Sequence, residues 1–153
     1  MPIVKLKNYL DANHVKYNSV VHSQAYSAKE VSHITNTPEG ELAKTVIVNL
    51  GHKMVMLVLP SAETIDFKSL RKSLRATDVS LASEKEFSKV FPDCELGAMP
   101  PFGNLYNMEV YVDEHLANNR EIACNAGTHS EVIRLSYKDF DKLVHPKKIA
   151  ITH

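Results

Sequence analysis

Residues 45–59 read Thr-Val-Ile-Val-Asn-Leu-Gly-His-Lys-Met-Val-Met-Leu-Val-Leu, and this segment is the strongest indication of the fold. Two apolar runs, Thr45–Leu50 and Met54–Leu59, flank Gly51-His52-Lys53, a pattern that predicts a β-hairpin. Because the runs are apolar at nearly every position, both faces of the hairpin are predicted to be buried. We therefore expect the hairpin to lie at the centre of a sheet.

Short helices and further strands are predicted on either side of this hairpin. Serine or aspartate at a helix start, followed by an apolar repeat, marks most of the helices. The predicted elements are helices near residues 3–10, 27–34, 66–75, 83–91 and 136–144, and strands at 19–22, 106–112, 121–125 and 132–135. The mixture shows no regular alternation, repeat or linker, so we expect one α+β domain over residues 1–153.

Length and composition limit the possible classes of protein. The 153 residues are 44% hydrophobic and 24% charged, which is typical of a soluble globular domain. The longest apolar run, Met54–Leu59, is much shorter than the roughly 20 residues of a membrane-spanning helix. We see no secretory signal, and we expect a cytoplasmic protein with no membrane partner.

The charge balance argues against a protein that grips long nucleic acid unaided. Eighteen basic and 18 acidic residues give a formal net charge of zero, whereas phosphate binding usually needs a basic excess. One local exception is the basic stripe, which consists of Lys68, Arg71, Lys72 and Arg75 at helical spacing. The stripe is either a solvated helix face or a phosphate-contacting surface, which the lysines at 147 and 148 would extend.

Three other features are candidates for chemistry. Lys44 lies at the start of a central strand, and its ammonium is either exposed to water or partly desolvated and directed to a pocket. The loop Gly97-Ala98-Met99-Pro100-Pro101-Phe102-Gly103 is stiff at its centre and permissive at its glycines, so it is either a rigid connector or a ligand wall. The turn Asn125-Ala126-Gly127-Thr128-His129 is either an exposed hairpin turn or a source of backbone donors and an imidazole.

Metal and nucleophile patterns are weaker. The two cysteines, Cys94 and Cys124, have no metal-ligand spacing with His129, so we expect no metal and two reduced thiols. A cysteine–histidine nucleophilic pair has little support, since neither cysteine has an electropositive sequence context.

Together, Lys44-Thr45, the Gly97-to-Pro101 GxxxP loop and Gly127-Thr128-His129 resemble the YbaK/prolyl-tRNA-synthetase-associated family of aminoacyl-tRNA deacylases. The resemblance runs from about Tyr26 to Val144. It implies an α+β domain with a curved, barrel-like mixed sheet and short helices, and a pocket for the 3′-terminal aminoacyl-adenosine.

The resemblance also implies roles for individual residues. Lys44 is the expected catalytic residue, and the loss of Lys44 should abolish deacylation. Gly97 and His129 are expected to line the pocket that sizes the aminoacyl side chain, while Gly127 and its neighbours would supply backbone donors. The full set of expected substrate-binding residues is Thr45, Gly97, Met99, Pro100, Pro101, Phe102, Gly127, Thr128 and His129. The basic stripe is the expected tRNA contact.

The expected reaction is hydrolysis of the ester of a mischarged aminoacyl-tRNA, without a cofactor. An aminoacyl ester is already activated, so positioning water and stabilising the oxyanion suffice. The amino acid stays open among Ser, Thr, Ala and Cys, because Thr45 stands where we expect asparagine in the alanine-selective branch. The expected partner is the acceptor end of the tRNA, with a synthetase or elongation factor as a further candidate.

Two alternatives remain at this point. One is a non-catalytic module of the same fold that binds a tRNA end or a nucleotide. The other is a hydrolase for a small unrelated ester or amide, which would need a pocket but no basic stripe.

Overall fold

The central hairpin is present in a computed structural model that describes residues 2–25 and 27–152; Met1, Tyr26 and His153 lie outside the described residues. Strands β2 and β3 pair antiparallel from Ala43 opposite Pro60 to Leu50 opposite Lys53. Gly51 has a φ of +65° at the turn, a conformation that glycine adopts without a steric penalty. The prediction of a central hairpin is confirmed.

The described residues form eight strands, six α-helices and one 3₁₀ helix. The helices are α1 (Pro2–Ala12), α2 (Ala28–Thr35), α3 (Phe67–Leu74), α4 (Glu84–Phe87), α5 (Glu114–Ala117) and α6 (Tyr137–Val144), with the 3₁₀ helix at Gly103–Tyr106. The strands are β1 (Tyr17–Val21), β2 (Leu42–Leu50), β3 (Lys53–Pro60), β4 (Val79–Leu81), β5 (Val110–Asp113), β6 (Glu121–Asn125), β7 (Glu131–Ser136) and β8 (Lys147–Ile149).

All eight strands belong to one mixed sheet in the order β1-β7-β6-β2-β3-β5-β8, with β4 also paired to β2. The main core cluster draws buried side chains from β2, β3, β5, β6 and β7 and also from α1 and α6. Five strands can contact one cluster only if the sheet curves around it. The prediction of an α+β fold with a curved mixed sheet and short helices is confirmed.

Side-chain caps fix the ends of several helices. The side chains of Ser27, Asp66 and Ser136 accept hydrogen bonds from backbone N–H groups in the first turns of α2, α3 and α6. Ser83 and Glu86 form a reciprocal capping box at α4. These helix starts agree with the sequence prediction, because the caps are local interactions.

Other boundaries differ from the prediction. The strand expected at 106–112 begins only at Val110, because Gly103–Tyr106 forms a 3₁₀ turn that Asn107 ends in the left-handed region. The helix expected to reach Phe91 ends at Phe87. Strands β4 and β8 were not predicted, because each has three residues and is formed by pairing with a distant strand.

Candidate active site

A cavity of about 190 Å³ lies beside the start of strand β2. The described residues that line it are Ala25, Ser27, Val31, Leu42, Ala43, Lys44, Thr45, Ser61, Gly97, Asn125 and His129. Four of the predicted site residues, Lys44, Thr45, Gly97 and His129, are therefore brought together. They come from one strand and two loops, and the most distant pair, Lys44 and His129, is 85 positions apart in sequence.

The cavity lies where strand β2 changes neighbours along one edge. Leu42 and Ala43 pair with β6, and β4 pairs only from Val48 onward. Residues 44–46 therefore have no strand partner on this edge within the described part of the chain. This gap in the sheet gives a ligand access to the side of β2 next to Lys44.

Lys44 presents a partly desolvated ammonium at this gap. Burial lowers the pKa of Lys44, and the negative charge of Glu63 opposes part of that shift. The side chain of Lys44 makes no hydrogen bond or ion pair with the described residues. Glu63 is instead hydrogen-bonded to His115, with 2.8 Å between Oε1 and Nδ1. The ammonium is thus available to an incoming anion or carbonyl oxygen.

Gly97 and His129 form one wall of the cavity. Gly97 has a φ of +83°, and a Cβ placed there would lie 3.5 Å from Cε1 of His129. The His129 ring is held by a 2.7 Å hydrogen bond between Nε2 and the carbonyl of Leu96. Because a carbonyl only accepts, Nε2 carries the proton in this contact. The imidazole is fixed as a wall beside Gly97.

A short network connects the two loops that carry Gly97 and His129. The backbone N–H of His129 donates to the Glu95 carboxylate at 2.8 Å. The N–H of Glu95 donates to the carbonyl of Gly127, and the N–H of Gly127 donates to the carbonyl of Ala98 at 2.9 Å. These bonds set the width of the cavity between the loops.

The same network changes the expected role of Gly127. Its N–H already donates to Ala98, so it is not free to stabilise an oxyanion, contrary to the expectation from sequence. Thr128 does not line the cavity, and its Oγ1 contacts Ser130. Gly127, with a φ of +98°, instead serves the turn that carries His129.

The centre of the 97–103 loop also lies elsewhere than expected. Met99 and Phe102 are 4% and 0% exposed and belong to the main core cluster. Pro100 and Pro101 are buried as well, and none of these four side chains lines the cavity. Apolar side chains beside a curved sheet are buried more favourably in the core than at a polar pocket, so this loop is anchored by its centre.

Sequence reasoning gave no role at the cavity to Ser61 or Asn125, and it identified Ser27 only as a helix start. Ser61 directly follows strand β3, and Asn125 is both the last residue of β6 and the first residue of the 125–129 turn. The only sequence signal was their position at strand ends, where side chains commonly face a pocket in α/β sheets. Proximity to Lys44 could not be read from either position.

Neither cysteine supplies a thiolate nucleophile. Both are free thiols. Burial raises the pKa of the Cys124 thiol to about 12, and burial also raises the pKa of Cys94. A raised thiol pKa leaves almost no thiolate at neutral pH, so the geometry gives the cysteine–histidine alternative no support.

The comparisons with known proteins agree with this geometry. The family model described as the aminoacyl-tRNA editing domain matches residues 22–143 of the chain. The chain belongs to the aminoacyl-tRNA editing domain family. Aminoacyl-tRNA deacylase activity, predicted from the resemblance, is the activity of this family, and an aminoacyl-tRNA is its substrate.

One curated relative of this editing domain is the prolyl-tRNA editing protein ProX of Acetoanaerobium sticklandii. The two are 27% identical over 141 residues, which is 88% of this chain and 85% of the relative.

Solved structures share the fold of the editing domain. A candidate trans-editing enzyme for prolyl tRNA synthetase superposes with a TM-score of 0.85 at 17% identity, covering 99% of this chain and 97% of the other. The hypothetical protein APE2540 superposes with a TM-score of 0.87, also at 17% identity, covering 97% of this chain and 99% of the other. At this identity the likeness establishes the architecture alone. Across residues 2–25 and 27–152, we find no helix of the length and apolarity that crossing a bilayer requires.

Proposed function

We propose that this editing domain removes a small amino acid from a mischarged tRNA, with Lys44 as the catalytic residue. The observation that carries the proposal is the convergence of Lys44, Gly97 and His129 on one cavity of about 190 Å³. Pockets that enclose drug-sized ligands measure about 300–1,000 Å³. A cavity of this size suits an aminoacyl group, while the nucleotide stays outside.

In the proposed reaction, water attacks the ester carbonyl carbon and the carbonyl oxygen gains negative charge. The Lys44 ammonium stabilises this oxyanion, and its partial desolvation strengthens the interaction relative to water. The bond between the carbonyl carbon and the ribose oxygen then breaks, and the proton lost by the attacking water replaces the one that the ribose oxygen gains. The products are the free amino acid and the tRNA, so no cofactor is required.

Selection by size follows from the wall formed by Gly97 and His129. Rejecting a large side chain sterically is easier than distinguishing one methylene, which is worth only about 1–3 kcal/mol. We propose Ser, Thr, Ala and Cys as the set of candidate amino acids. The name of the relative, prolyl-tRNA editing protein, supports proline tRNA as the first carrier to test.

The experiment that tests the function is deacylation of tRNAs charged with Ala, Ser, Thr, Cys and Pro. Rapid cleavage of one or more of the small-residue esters, above the uncatalysed rate, is expected. Absence of cleavage across the panel would instead support the alternative of a non-catalytic module, which binding of an uncharged tRNA end would then test.

The Gly97→Ala variant is expected to lower kcat/KM by about tenfold or more, because its methyl group narrows the cavity beside His129. The substitution also strains the backbone at a positive φ by about 1–2 kcal/mol. The measurements are deacylation kinetics and thermal unfolding of the variant.

Gly51→Ala is the matched control for this strain. Gly51 also has a positive φ, of +65°, but a Cβ there would meet nothing within 4 Å. It lies at the turn of the hairpin, remote from the start of β2. We expect equal destabilisation with normal activity, and equal activity losses in the two variants would contradict the role of Gly97 as a cavity wall.

The basic stripe is proposed as the tRNA contact. Lys68, Arg71 and Lys72 are exposed on α3, and Arg75 is the exposed C-cap residue with a φ of +53°. Helix α3 packs through Leu70 against Val48 and Leu59. Side chains alternate between the two faces of a sheet along a strand. Lys44 and Val48 are four positions apart on β2, so Lys44 projects from the same face as Val48, the face that α3 covers.

The lysines at 147 and 148 lie close to α3. The hydroxyl of Ser73 donates to the carbonyl of Ala150, and the N–H of Asp66 donates to the carbonyl of Ile151. Both ends of α3 thus contact the segment that directly follows β8. An acceptor stem lying along α3 could contact this second basic group as well.

Neutralising the four stripe residues to glutamine is expected to raise KM for the tRNA and to flatten its dependence on salt. Each lost phosphate contact should reduce the slope of log KM against log salt by about one. The control variant neutralises Lys16, Lys89, Lys138 and Lys142, which are exposed on other parts of the surface. If both variants behave alike, the stripe is only a solvated helix face.

Delivery of the substrate by a synthetase or an elongation factor is proposed from the charge balance. A chain with a net charge of zero has little general attraction for tRNA, so a partner that already holds the tRNA would raise its local concentration. This proposal places the protein in the cytoplasm, with residues 1–153 acting as one editing domain.

A further inference from the structure

Asn125 has an unused hydrogen-bond acceptor at the wall of the cavity. It is the last residue of β6 and lines the cavity beside Lys44 and Thr45. Its Oδ1 is buried and has no hydrogen-bond partner among the described residues. A buried acceptor without a partner is costly, so such an atom in a ligand cavity indicates a donor supplied by the ligand.

The register of the sheet brings Asn125 next to Lys44. Parallel pairing aligns Leu42 with Ala123 and Ala43 with Cys124, and the next step of this register aligns Lys44 with Asn125. Both residues lie at the point where the two strands cease to pair. Neighbouring strands are about 4.8 Å apart, which places the two side chains within reach of one small ligand group.

Both side chains also project from the same face of the sheet. Side chains alternate along a strand, so Lys44 shares its face with Leu42 and Asn125 shares its face with Ala123. Leu42 and Ala123 pack together in one small buried cluster with Ala25, Val31 and Val132. That shared cluster shows that the two faces coincide.

A donor and an acceptor side by side match the reacting end of an aminoacyl ester. The ester carbonyl oxygen accepts hydrogen bonds, and the α-amino group on the adjacent carbon donates them. We propose that Asn125 is a substrate-binding residue whose Oδ1 accepts a hydrogen bond from the α-amino group while Lys44 contacts the carbonyl oxygen. This inference rests on the proposed deacylase function and adds to it one specificity-determining contact, between Asn125 Oδ1 and the α-amino group of the ester.

The composition of the cavity supports an amide in this role. The described lining residues include no carboxylate, so an α-amino group must be held by neutral acceptors. An aspartate next to Lys44 would form an ion pair with the ammonium and withdraw it from the ester. The amide oxygen of Asn125 accepts a hydrogen bond without neutralising Lys44.

The test compares tRNA acylated with alanine, tRNA acylated with propionate and tRNA acylated with serine. Propionate is alanine without its amino group, so the first pair isolates that group. Each kcat/KM is divided by the uncatalysed hydrolysis rate of the same ester, because an α-amino group activates esters intrinsically. The wild type is compared with Asn125→Leu, which has a similar shape and no acceptor, and with Asn125→Ala as a second variant.

The wild type is expected to prefer the alanyl ester over the propionyl ester by about 10- to 100-fold. The propionyl ester has no amino group, so Oδ1 of Asn125 would stay buried without a hydrogen-bond donor. In both variants, activity on the alanyl and seryl esters should fall about 10- to 100-fold further than activity on the propionyl ester, so the preference is lost. Thermal unfolding identifies which variants are folded.

Three results would overturn the inference. Equal losses on alanyl and propionyl esters would assign Asn125 a packing role, and a loss confined to the seryl ester would assign its acceptor to a side-chain hydroxyl. A wild type that cleaves alanyl and propionyl esters equally would show that the amino group is not recognised. A wild type inactive on these three esters and also on threonyl and cysteinyl tRNA would overturn the proposed deacylase function itself, which separates that failure from the other three.

Discussion

Replacing Lys44 with alanine is expected to lower kcat/KM for the cleaved aminoacyl-tRNA by about 100-fold or more. The loss has this size because removing one preorganised donor to a developing oxyanion typically costs about 10²- to 10³-fold. The side chain of Lys44 makes no hydrogen bond or ion pair with the described residues, so its removal breaks no contact of that kind within the fold. The measurement is deacylation of the preferred tRNA alongside thermal unfolding.

Two further variants separate the charge of Lys44 from its shape and from general charge loss. Lys44→Met retains a long unbranched side chain without the ammonium. Its activity should fall by as much as that of the Lys44→Ala variant. Lys53→Ala removes a lysine at the other end of the same hairpin, where it pairs with Glu109 at 2.9 Å. Normal activity is expected for this control. An active Lys44→Met enzyme would show that the ammonium takes no part in the reaction.

The Gly103→Ala variant is expected to lose about 2–3 kcal/mol of unfolding free energy, the largest stability effect that we predict. A Cβ at Gly103 would lie 2.6 Å from Cγ2 of Val110 and 2.7 Å from the backbone oxygen of Met108. The backbone oxygen cannot rotate away, so the 3₁₀ helix must shift against β5. For a domain of this size the change lowers Tm by about 5–10 °C.

Gly40→Ala is the control for this substitution. A Cβ at Gly40 would meet nothing within 4 Å, and Gly40 has no positive φ. Its unfolding free energy should change by no more than about 0.5 kcal/mol. If both glycine variants unfold at the wild-type temperature, the loop that ends at Gly103 is not packed as tightly as the structure shows.

The local patterns of the chain were sufficient to predict much of the fold. The apolar runs around Gly51 predicted the central hairpin, and Ser27, Asp66 and Ser136 predicted three helix starts. Strands β4 and β8 were not predictable in this way, because three-residue strands acquire their conformation from distant partners.

The candidate site was predictable only in part. The resemblance directed attention to Lys44, Gly97 and His129, and these residues do line one cavity. It also included Met99 and Phe102, which lie in the core, because a motif identifies a segment but not the direction of each side chain. Asn125 was included in the 125–129 turn but had no assigned role, because the significance of an asparagine at a strand end depends on its neighbour across the sheet.

Local patterns were enough to predict the class of fold, the central hairpin and most helix starts, and the order of three short motifs indicated the family. Three features emerged only in the assembled fold: the N–H of Gly127 donates to the carbonyl of Ala98, the 99–102 segment is buried, and Asn125 lines the same cavity as Lys44. The physical reason is that hydrogen-bond satisfaction, burial and strand register are properties of pairs of distant segments, which are fixed only when the sheet assembles.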